Sequence, residues 1–222
     1  MKKDSVIILS GGMDSVTLLH SMKERIALAL TFDYGANHNR QEIECAAWQA
    51  QSLGIEHIVI PLAFMSKYFH SSLLEGANEI PLDSYDEENM KSTVVPFRNG
   101  IMLSIACGLA ESRGLKHVLM ANHGGDHAIY PDCRPGFVTA MSDAMTAGTY
   151  EGVTLIAPFT DLTKGEIAMI GKNLGLDYSH SYSCYCGREK HCGRCATCRE
   201  RIQAFKFAGI SDPTIYEEEV FD

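Results

Sequence analysis

Long apolar runs are missing from this sequence of 222 residues. A membrane-spanning helix needs about 20 consecutive apolar residues, whereas the apolar run at 6–9 ends in a glycine turn and is not followed by a signal-peptide cleavage site. Basic residues are also scarce: 19 Lys and Arg stand against 28 Asp and Glu, a net charge of −9. This balance argues against a protein whose whole surface binds nucleic acid. We therefore expect a cytoplasmic protein without a membrane partner. A nucleic-acid or protein partner stays open, although the composition does not indicate one.

Two common phosphate-binding motifs are missing as well. The chain has no Gly-x-Gly-x-x-Gly, and the lysine of a Gly-Lys-Ser/Thr loop is absent. Residues 10–15 instead read Ser-Gly-Gly-Met-Asp-Ser, directly after a β-branched strand pattern and at the start of a helical one. Glycines let backbone N–H groups approach an anion, and a helix N-terminus adds oriented donors. The loop therefore predicts phosphate binding. As an acid beside phosphates, Asp14 is expected to hold Mg²⁺.

Strand and helix patterns alternate along most of the chain. Short apolar strands separated by helices predict a parallel sheet covered on both faces, a Rossmann-like doubly wound α/β fold. We expect an α/β domain at 1–180 that carries the phosphate loop and includes a mobile insert at 63–92, and a small helical segment at 181–222 that carries most of the cysteines. Strands are predicted at 5–9, 26–32, 57–61, 117–120 and 154–156. Helices are predicted at 14–23, 40–53, 100–113, 137–147 and 164–174.

Cysteine is plentiful, and five of the eight cysteines lie between 184 and 198. Without a secretory signal, that density indicates a metal site rather than disulfides. Four of these cysteines form the pattern C-x₇-C-x₂-C-x₂-C, which suits tetrahedral, structural Zn²⁺: Cys184, Cys192, Cys195 and Cys198. Cys186 and His191 are expected to be spectators. A [4Fe–4S] cluster stays open as the alternative, because cysteine spacing does not distinguish the two.

The loop at 10–15 closely resembles the signature of the PP-loop, or N-type ATP pyrophosphatase, superfamily. That resemblance implies a loop that grips the β,γ-pyrophosphate while a nucleophile attacks the α-phosphate, so that AMP and pyrophosphate are the products. It also implies adenosine contacts at the end of the second strand. The predicted ATP-binding residues are Leu9, Ser10, Gly11, Gly12, Met13, Asp14, Ser15, Val16, Thr17, Leu18, Leu19, Asp33 and Tyr34.

Further motifs narrow the resemblance to the 7-cyano-7-deazaguanine synthase family. They are Val-Pro-Phe-Arg-Asn at 95–99, Tyr-Pro-Asp-Cys-Arg at 130–134, Lys164 with Glu166, and the cysteine segment from 183 onward. The resemblance covers nearly the whole chain. It implies an enzyme, usually a homodimer, that converts 7-carboxy-7-deazaguanine, ammonia and ATP into the nitrile in two activations, by way of the amide.

Roles for individual residues follow from this resemblance. We expect Asp14, Ser15, Arg98 and Lys164 to take part in catalysis, with Lys164 neutralising charge on the phosphates. The predicted deazaguanine-binding residues are Arg98, Asn99, Asp126, Tyr130, Asp132 and Arg134. Asp132 is expected to accept from ring N–H groups, and an arginine to pair with the carboxylate. In the alternative interpretations, Asp132 only caps a turn, and Lys164 is only the first residue of a helix.

One substrate-loop segment departs from the family pattern. The family commonly has Asp-x-Ser-Gly before Tyr-Pro-Asp-Cys-Arg, whereas residues 126–129 here read Asp-His-Ala-Ile. A relative that stops at the amide, or that couples the acid to another amine, fits the same residues. Two further alternatives stay open, a PP-loop enzyme that modifies tRNA and a nucleotide-binding module without catalytic activity.

Overall fold

The computed structural model describes residues 3–77, 80–82 and 90–217. The strands are β1 (Ser5–Ile8), β2 (Ile26–Asp33), β3 (Glu56–Pro61), β4 (His117–Leu119) and β5 (Thr154–Ile156). The helices are α1 (Met13–Ser21), α2 (Asn39–Ser52), α3 (Phe64–Tyr68), α4 (Arg98–Ser112), α5 (Pro135–Gly148), α6 (Lys164–Asn173) and α7 (Ala196–Ala208). Two short 3₁₀ turns, Gly124–Ala128 and Pro131–Cys133, lie between β4 and α5.

The five strands form one parallel sheet in the order β3-β2-β1-β4-β5. In the centre of the sheet, Val6 of β1 pairs with Leu28 of β2 on one side and with Val118 of β4 on the other. The chain order reverses between β1 and β4, and such a switch point opens a crevice at the carboxyl ends of the strands. The predicted Rossmann-like doubly wound fold is confirmed. The loop at 10–15 follows β1 and lies at this crevice.

Helices cover both faces of the sheet and bury its apolar side chains. On one face, α1, α2 and α6 pack against Ile7 and Leu119. On the other face, α4 and α5 pack against Val6 and Val118. Val6, Ile7, Val118 and Leu119 are fully buried, and burying one such side chain is worth roughly 1.5–3 kcal/mol. The sheet thereby forms a rigid base for the loops at its carboxyl edge.

The start of α6 is fixed by a reciprocal capping box. Thr163 Oγ1 accepts from the backbone N–H of Glu166 at 3.2 Å, and a Glu166 carboxylate oxygen accepts from the backbone N–H of Thr163 at 2.7 Å. Lys164 is the first residue of the helix. The capping box therefore sets where the Lys164 side chain leaves the backbone.

The insert predicted at 63–92 lies partly outside the described residues, namely at 78–79 and 83–89. Within the described part, α3 forms, and Met65, Leu73 and Leu74 are buried in the cluster under α4. These residues are packed into the domain. No helix in the described ranges is both long enough and apolar enough to cross a membrane.

The C-terminal segment is tied to the domain by α7, which packs along α6. Arg201 of α7 has no exposed surface. Its guanidinium donates to Asp212 at 3.1 Å and to the Ser181 hydroxyl at 2.9 Å. A buried arginine is tolerated only when its donors are satisfied in this way.

Candidate active site

A cavity lies over the carboxyl ends of β1, β2 and β4, between the loop at 10–15 and α7. These predicted site residues line it: Leu9, Ser10, Gly12, Met13, Asp14, Ser15, Tyr34, Arg98, Asn99, Asp126, Tyr130 and Lys164. The cavity has two ends. The phosphate-loop end is formed by the loop at 10–15 with Lys164, and the Arg98 end lies around Arg98 and Tyr34.

The loop at 10–15 depends on one glycine for its shape. Gly11 has φ of +87°, and a Cβ there would lie 2.3 Å from the backbone oxygen of Glu42 on α2. Both facts require glycine. The Ser15 hydroxyl contacts the Ser10 hydroxyl at 3.0 Å and accepts from the Gly11 N–H at 3.2 Å, while the Gly12 N–H donates to Ser10 Oγ at 3.2 Å. The two hydroxyls therefore hold the loop in a tight turn at the N-terminus of α1.

Charged side chains surround the phosphate-loop end. Lys164 Nζ lies 3.6 Å from Asp14 Oδ2 and 2.8 Å from Glu200 Oε2. His123 Nε2 lies 3.8 Å from Asp14 Oδ2 and 3.5 Å from Asp126 Oδ2. The second Asp14 oxygen, Oδ1, is buried and has no hydrogen-bond partner among the described residues. This end of the cavity therefore combines the Lys164 cation with a carboxylate oxygen, Asp14 Oδ1, that has no hydrogen-bond partner among the described residues.

Burial and neighbouring charges shift the pKa values at this end. Burial raises the pKa of Asp126 above its usual value, and His123 and Lys164 oppose that shift only in part. Burial also disfavours the charged form of Lys164, but Asp14, Glu200 and Asp126 outweigh it and raise the pKa of Lys164. Lys164 is therefore a permanent cation, suited to polyphosphate.

The other end of the cavity contains Arg98, Tyr34, His38 and Glu42. Arg98 Nη1 donates to the Tyr34 hydroxyl at 3.2 Å, and its guanidinium carbon lies 5.6 Å from the centre of the Tyr34 ring. His38 Nε2 lies 3.9 Å from Glu42 Oε2. Burial lowers the pKa of His38 to about 4 and raises the pKa of Glu42 to about 8. At neutral pH the pair is therefore mostly uncharged, and Arg98 dominates the charge of this end.

Two predicted substrate-binding residues do not reach the cavity. Asp132 Oδ2 accepts from the Asn99 backbone N–H at 2.8 Å and so caps the start of α4. Arg134 is exposed, and it donates to the backbone oxygens of His127 and Ala128. The structure thus places Asp132 beneath Arg98 and Asn99, and Arg134 on the outside of the Gly124–Ala128 turn.

Several predicted ATP-binding residues also lie outside the cavity lining. Gly11 is in the loop but faces α2, and Asp33 is exposed at the end of β2. Thr17 is buried and bonds to the Tyr178 hydroxyl at 2.6 Å. The remaining residues of α1 in the set are fully buried in the core: Val16, Leu18 and Leu19. The structure therefore brings together the loop itself but not the helix behind it.

The predicted site residues did not include several residues that line the cavity: His38, Glu42, His123, Tyr182, Ser183, Tyr185, Thr197 and Glu200. His38 and Glu42 are four residues apart at the start of α2, which follows the carboxyl end of a strand. This spacing puts the two side chains on one face of the helix near the ligand-binding edge of the sheet, so it could have predicted them as site residues. Tyr185 and Glu200 carry no such signal because only long-range packing brings the cysteine segment to the cavity. Tyr185 Oη lies 3.0 Å from Tyr130 Oη.

The four predicted metal ligands come together in a buried cluster. Cys184, Cys192, Cys195 and Cys198 are buried, and their sulfurs all lie within 4.8 Å of one another. The Cys192–Cys198 and Cys184–Cys195 sulfur pairs are each 4.0 Å apart, too far for disulfides. The group can hold a metal ion such as zinc.

Backbone donors around the sulfurs fit a metal-bound thiolate. The N–H of Cys192 points to the Cys184 sulfur at 3.3 Å, and the N–H of Cys195 to the Cys192 sulfur at 3.2 Å. Zn–S bonds of about 2.3 Å in a tetrahedron place sulfurs about 3.8 Å apart. Two of the six sulfur–sulfur separations are 4.0 Å and none exceeds 4.8 Å, a spacing at which the four sulfurs can share a single ion.

Comparison with known proteins identifies close relatives. The family model for "Queuosine biosynthesis protein QueC" matches residues 4–209. The 7-cyano-7-deazaguanine synthase of Porphyromonas gingivalis is 58% identical over 216 residues, which cover 97% of this chain and 98% of that protein. The enzyme of the same name from Desulfotalea psychrophila is 49% identical over 215 residues, which cover 96% and 98%.

A solved structure shares the fold. The NMN synthetase from Francisella tularensis superposes with a TM-score of 0.52 and 15% sequence identity, and the match covers 95% of this chain and 79% of that one. At this identity the likeness concerns the fold alone.

Proposed function

Because the chain belongs to the family of the queuosine biosynthesis protein QueC, as its motifs predict, we propose that it makes 7-cyano-7-deazaguanine from 7-carboxy-7-deazaguanine, ammonia and ATP. The observation that carries the proposal is one cavity with two distinct ends. A phosphate loop with Lys164 occupies one end, and Arg98 lies at the other. The nucleotide would bind at the first end and the anionic acid at the second.

The reaction consists of two activations of oxygen. In the first, a carboxylate oxygen attacks the α-phosphorus of ATP and pyrophosphate leaves. Ammonia then attacks the carbonyl carbon, AMP departs with that oxygen, and the amide forms as a proton is lost. In the second, the amide oxygen attacks the α-phosphorus of a second ATP, and pyrophosphate leaves. AMP then departs with that oxygen, both N–H protons are lost and the nitrile remains. One phosphate-binding site can serve both steps, because in each step the attachment of AMP turns an oxygen that leaves poorly into one that leaves readily.

The residues of the phosphate-loop end would bind and orient ATP. The N–H groups at the start of α1 would face the phosphates, as helix N-termini do. Lys164 would stabilise the negative charge that develops on them. Ser15 shapes the loop through its contacts with Ser10 and Gly11. Attack at the α-phosphorus, with release of AMP and pyrophosphate, is what the resemblance of this loop to the PP-loop signature implies.

Asp14 is suited to Mg²⁺ that arrives with ATP. Its Oδ1 is buried and has no partner among the residues that the structure describes, and carboxylate oxygens are the ligands that Mg²⁺ prefers. The ion would neutralise phosphate charge and fix the orientation of the phosphates. Asp14 would thus hold the ion, and Lys164 would complete the charge balance.

The Arg98 end would bind the deazaguanine acid. The Arg98 guanidinium is suited to a carboxylate because it forms bidentate hydrogen bonds. Asn99 and Tyr130 supply polar and aromatic surface in the same cavity, and Asp126 lines it towards the phosphate-loop end. Asp132 and Arg134 would act indirectly, since one caps the helix that carries Arg98 and the other holds the Gly124–Ala128 turn.

The cysteine cluster would hold Zn²⁺ as a structural ion. Four thiolates leave no coordination position for water, which is typical of structural zinc. Such an ion stabilises the fold of its segment, and no step of the proposed reaction uses it.

Mass spectrometry of one incubation tests the proposal. The purified protein is mixed with 7-carboxy-7-deazaguanine, ATP, Mg²⁺ and ammonium, and the products are followed over time. We expect the amide to appear first and the nitrile to replace it, with AMP and pyrophosphate as the nucleotide products. Amide that accumulates without nitrile would instead support the alternative suggested by Ala128 and Ile129. No conversion of the acid would contradict the proposal.

A further inference from the structure

The ion pair between Lys164 and Glu200 links the cysteine segment to the phosphate-loop end of the cavity. Glu200 lies on α7, two residues after Cys198, and its side chain lines the cavity. The Lys164 and Glu200 side chains are only 14% and 20% exposed. Solvent therefore screens this pair less than it screens a surface pair.

Lys164 lies between two carboxylates at unequal distances. Its ammonium donates to Glu200 Oε2 at 2.8 Å, the length of a good charge-assisted hydrogen bond, while Asp14 Oδ2 is 3.6 Å away. Glu200 thus holds the cation on the side of α7. Without the Glu200 charge, Asp14 would be the nearest carboxylate to Lys164.

We propose that Glu200 is a positioning residue that keeps Lys164 from closing onto Asp14, so that Asp14 stays available to the magnesium nucleotide. This inference rests on the proposed function, because it assumes that the loop binds Mg²⁺ and ATP. The Asp14 atom without a partner, Oδ1, belongs to the same carboxylate that Lys164 would otherwise neutralise. An aspartate fully paired with an ammonium is a weaker ligand for a divalent cation, since the two cations compete for one charge.

The inference gives the cysteine segment a direct part in the site. α7 begins immediately after Cys195 and contains Cys198, so the cysteine cluster adjoins the helix turn that carries Glu200. The buried Arg201 then anchors the following turn through Asp212. The segment therefore sets where the Glu200 carboxylate meets Lys164.

Glu200→Gln tests the inference because it removes the charge and keeps the shape. Glu189→Gln is the matched control: it makes the same change at an exposed position of the cysteine segment that does not line the cavity. Binding of α,β-methylene-ATP is measured by calorimetry over a range of Mg²⁺ concentrations, and pyrophosphate release is measured over the same range. Zinc content and urea unfolding verify that both variants are folded.

We expect Glu200→Gln to need roughly tenfold more Mg²⁺ for half-maximal nucleotide binding, the lower end of what one charged hydrogen bond contributes. Zinc content should equal that of the wild type, and Glu189→Gln should behave as the wild type throughout. An unchanged Mg²⁺ dependence in Glu200→Gln, in a protein that makes the nitrile, would overturn the inference alone. A wild-type protein that binds no magnesium nucleotide would overturn the proposed function together with the inference.

Discussion

Replacing Glu42 with glutamine should change how stability depends on pH. Glu42 lies at the Arg98 end of the cavity, 3.9 Å from His38, and its side chain is 17% exposed. Burial raises its pKa from 4.5 to about 8, and burial lowers the pKa of His38 from 6.5 to about 4. Arg98 opposes the shift of Glu42 and reinforces that of His38. The pair is thus kept neutral over a range in which either group would be charged in the unfolded chain.

The signs of the two effects are opposite. The folded chain keeps a proton on Glu42 that the unfolded chain loses above pH 4.5, so Glu42 lowers the free energy of unfolding as pH rises to about 8. His38 takes up a proton in the unfolded chain below pH 6.5 but stays neutral when folded, so it raises that free energy as pH rises from about 4 to 6.5. The two effects nearly cancel up to pH 6.5. Between pH 6.5 and about pH 8 only Glu42 changes the free energy of unfolding. It lowers that free energy by about 1.4 kcal/mol for each pH unit, or about 2 kcal/mol over the interval of about 1.5 units.

Urea unfolding of the zinc-loaded protein at pH 6.5 and pH 8 measures this effect. The wild type should lose about 2 kcal/mol more than Glu42→Gln over that interval, because glutamine does not titrate. Glu44→Gln is the matched control on the same helix; its side chain is 64% exposed, and its pH dependence should follow that of the wild type. Equal pH dependence in the wild type and Glu42→Gln would refute a buried, neutral Glu42.

Four further substitutions test the site. Asp14→Asn should lower turnover at least a hundredfold, because it removes a charge from the proposed Mg²⁺ ligand, while urea unfolding changes little; turnover within a few-fold of the wild type would contradict that role. Cys195→Ser should lose the metal in elemental analysis and loosen α7, whereas Cys186→Ser should keep about one equivalent of zinc; stoichiometric iron in the wild type would contradict zinc. Asp132→Ala should remove the cap of α4, cost about 1 kcal/mol of stability and weaken binding of the deazaguanine acid through Arg98; calorimetry that shows ATP weakened as much would contradict this assignment.

Strands and helices were largely predictable from the sequence because their patterns are local. The predicted strand at 154–156 agrees with β5, and most of the other predicted elements end within one or two residues of the observed ones. The prediction did not delimit α7. Its polar face is partly buried, since Arg201 has no exposed surface, so its residues lack a simple amphipathic pattern.

The phosphate loop and the cysteine cluster were predictable because each is one short motif. The rest of the site depends on long-range packing: Glu200 meets Lys164 only because α7 lies along α6. Asp132 was predicted to bind the deazaguanine ring, but the structure uses its carboxylate to cap α4. A motif specifies residue types and their order but not the direction of each side chain. The direction of the Asp132 side chain depends on a backbone N–H group that needs a hydrogen-bond partner.

The central claim is that one site activates first the acid and then the amide by attaching AMP to oxygen. The most direct test uses 7-carboxy-7-deazaguanine with ¹⁸O in both carboxylate oxygens, incubated with ATP, Mg²⁺ and ammonium in ordinary water. We expect two AMP for each nitrile formed, each carrying one ¹⁸O in its phosphate, as measured by mass spectrometry. Nitrile formed with unlabelled AMP, or with ADP as the nucleotide product, would contradict it.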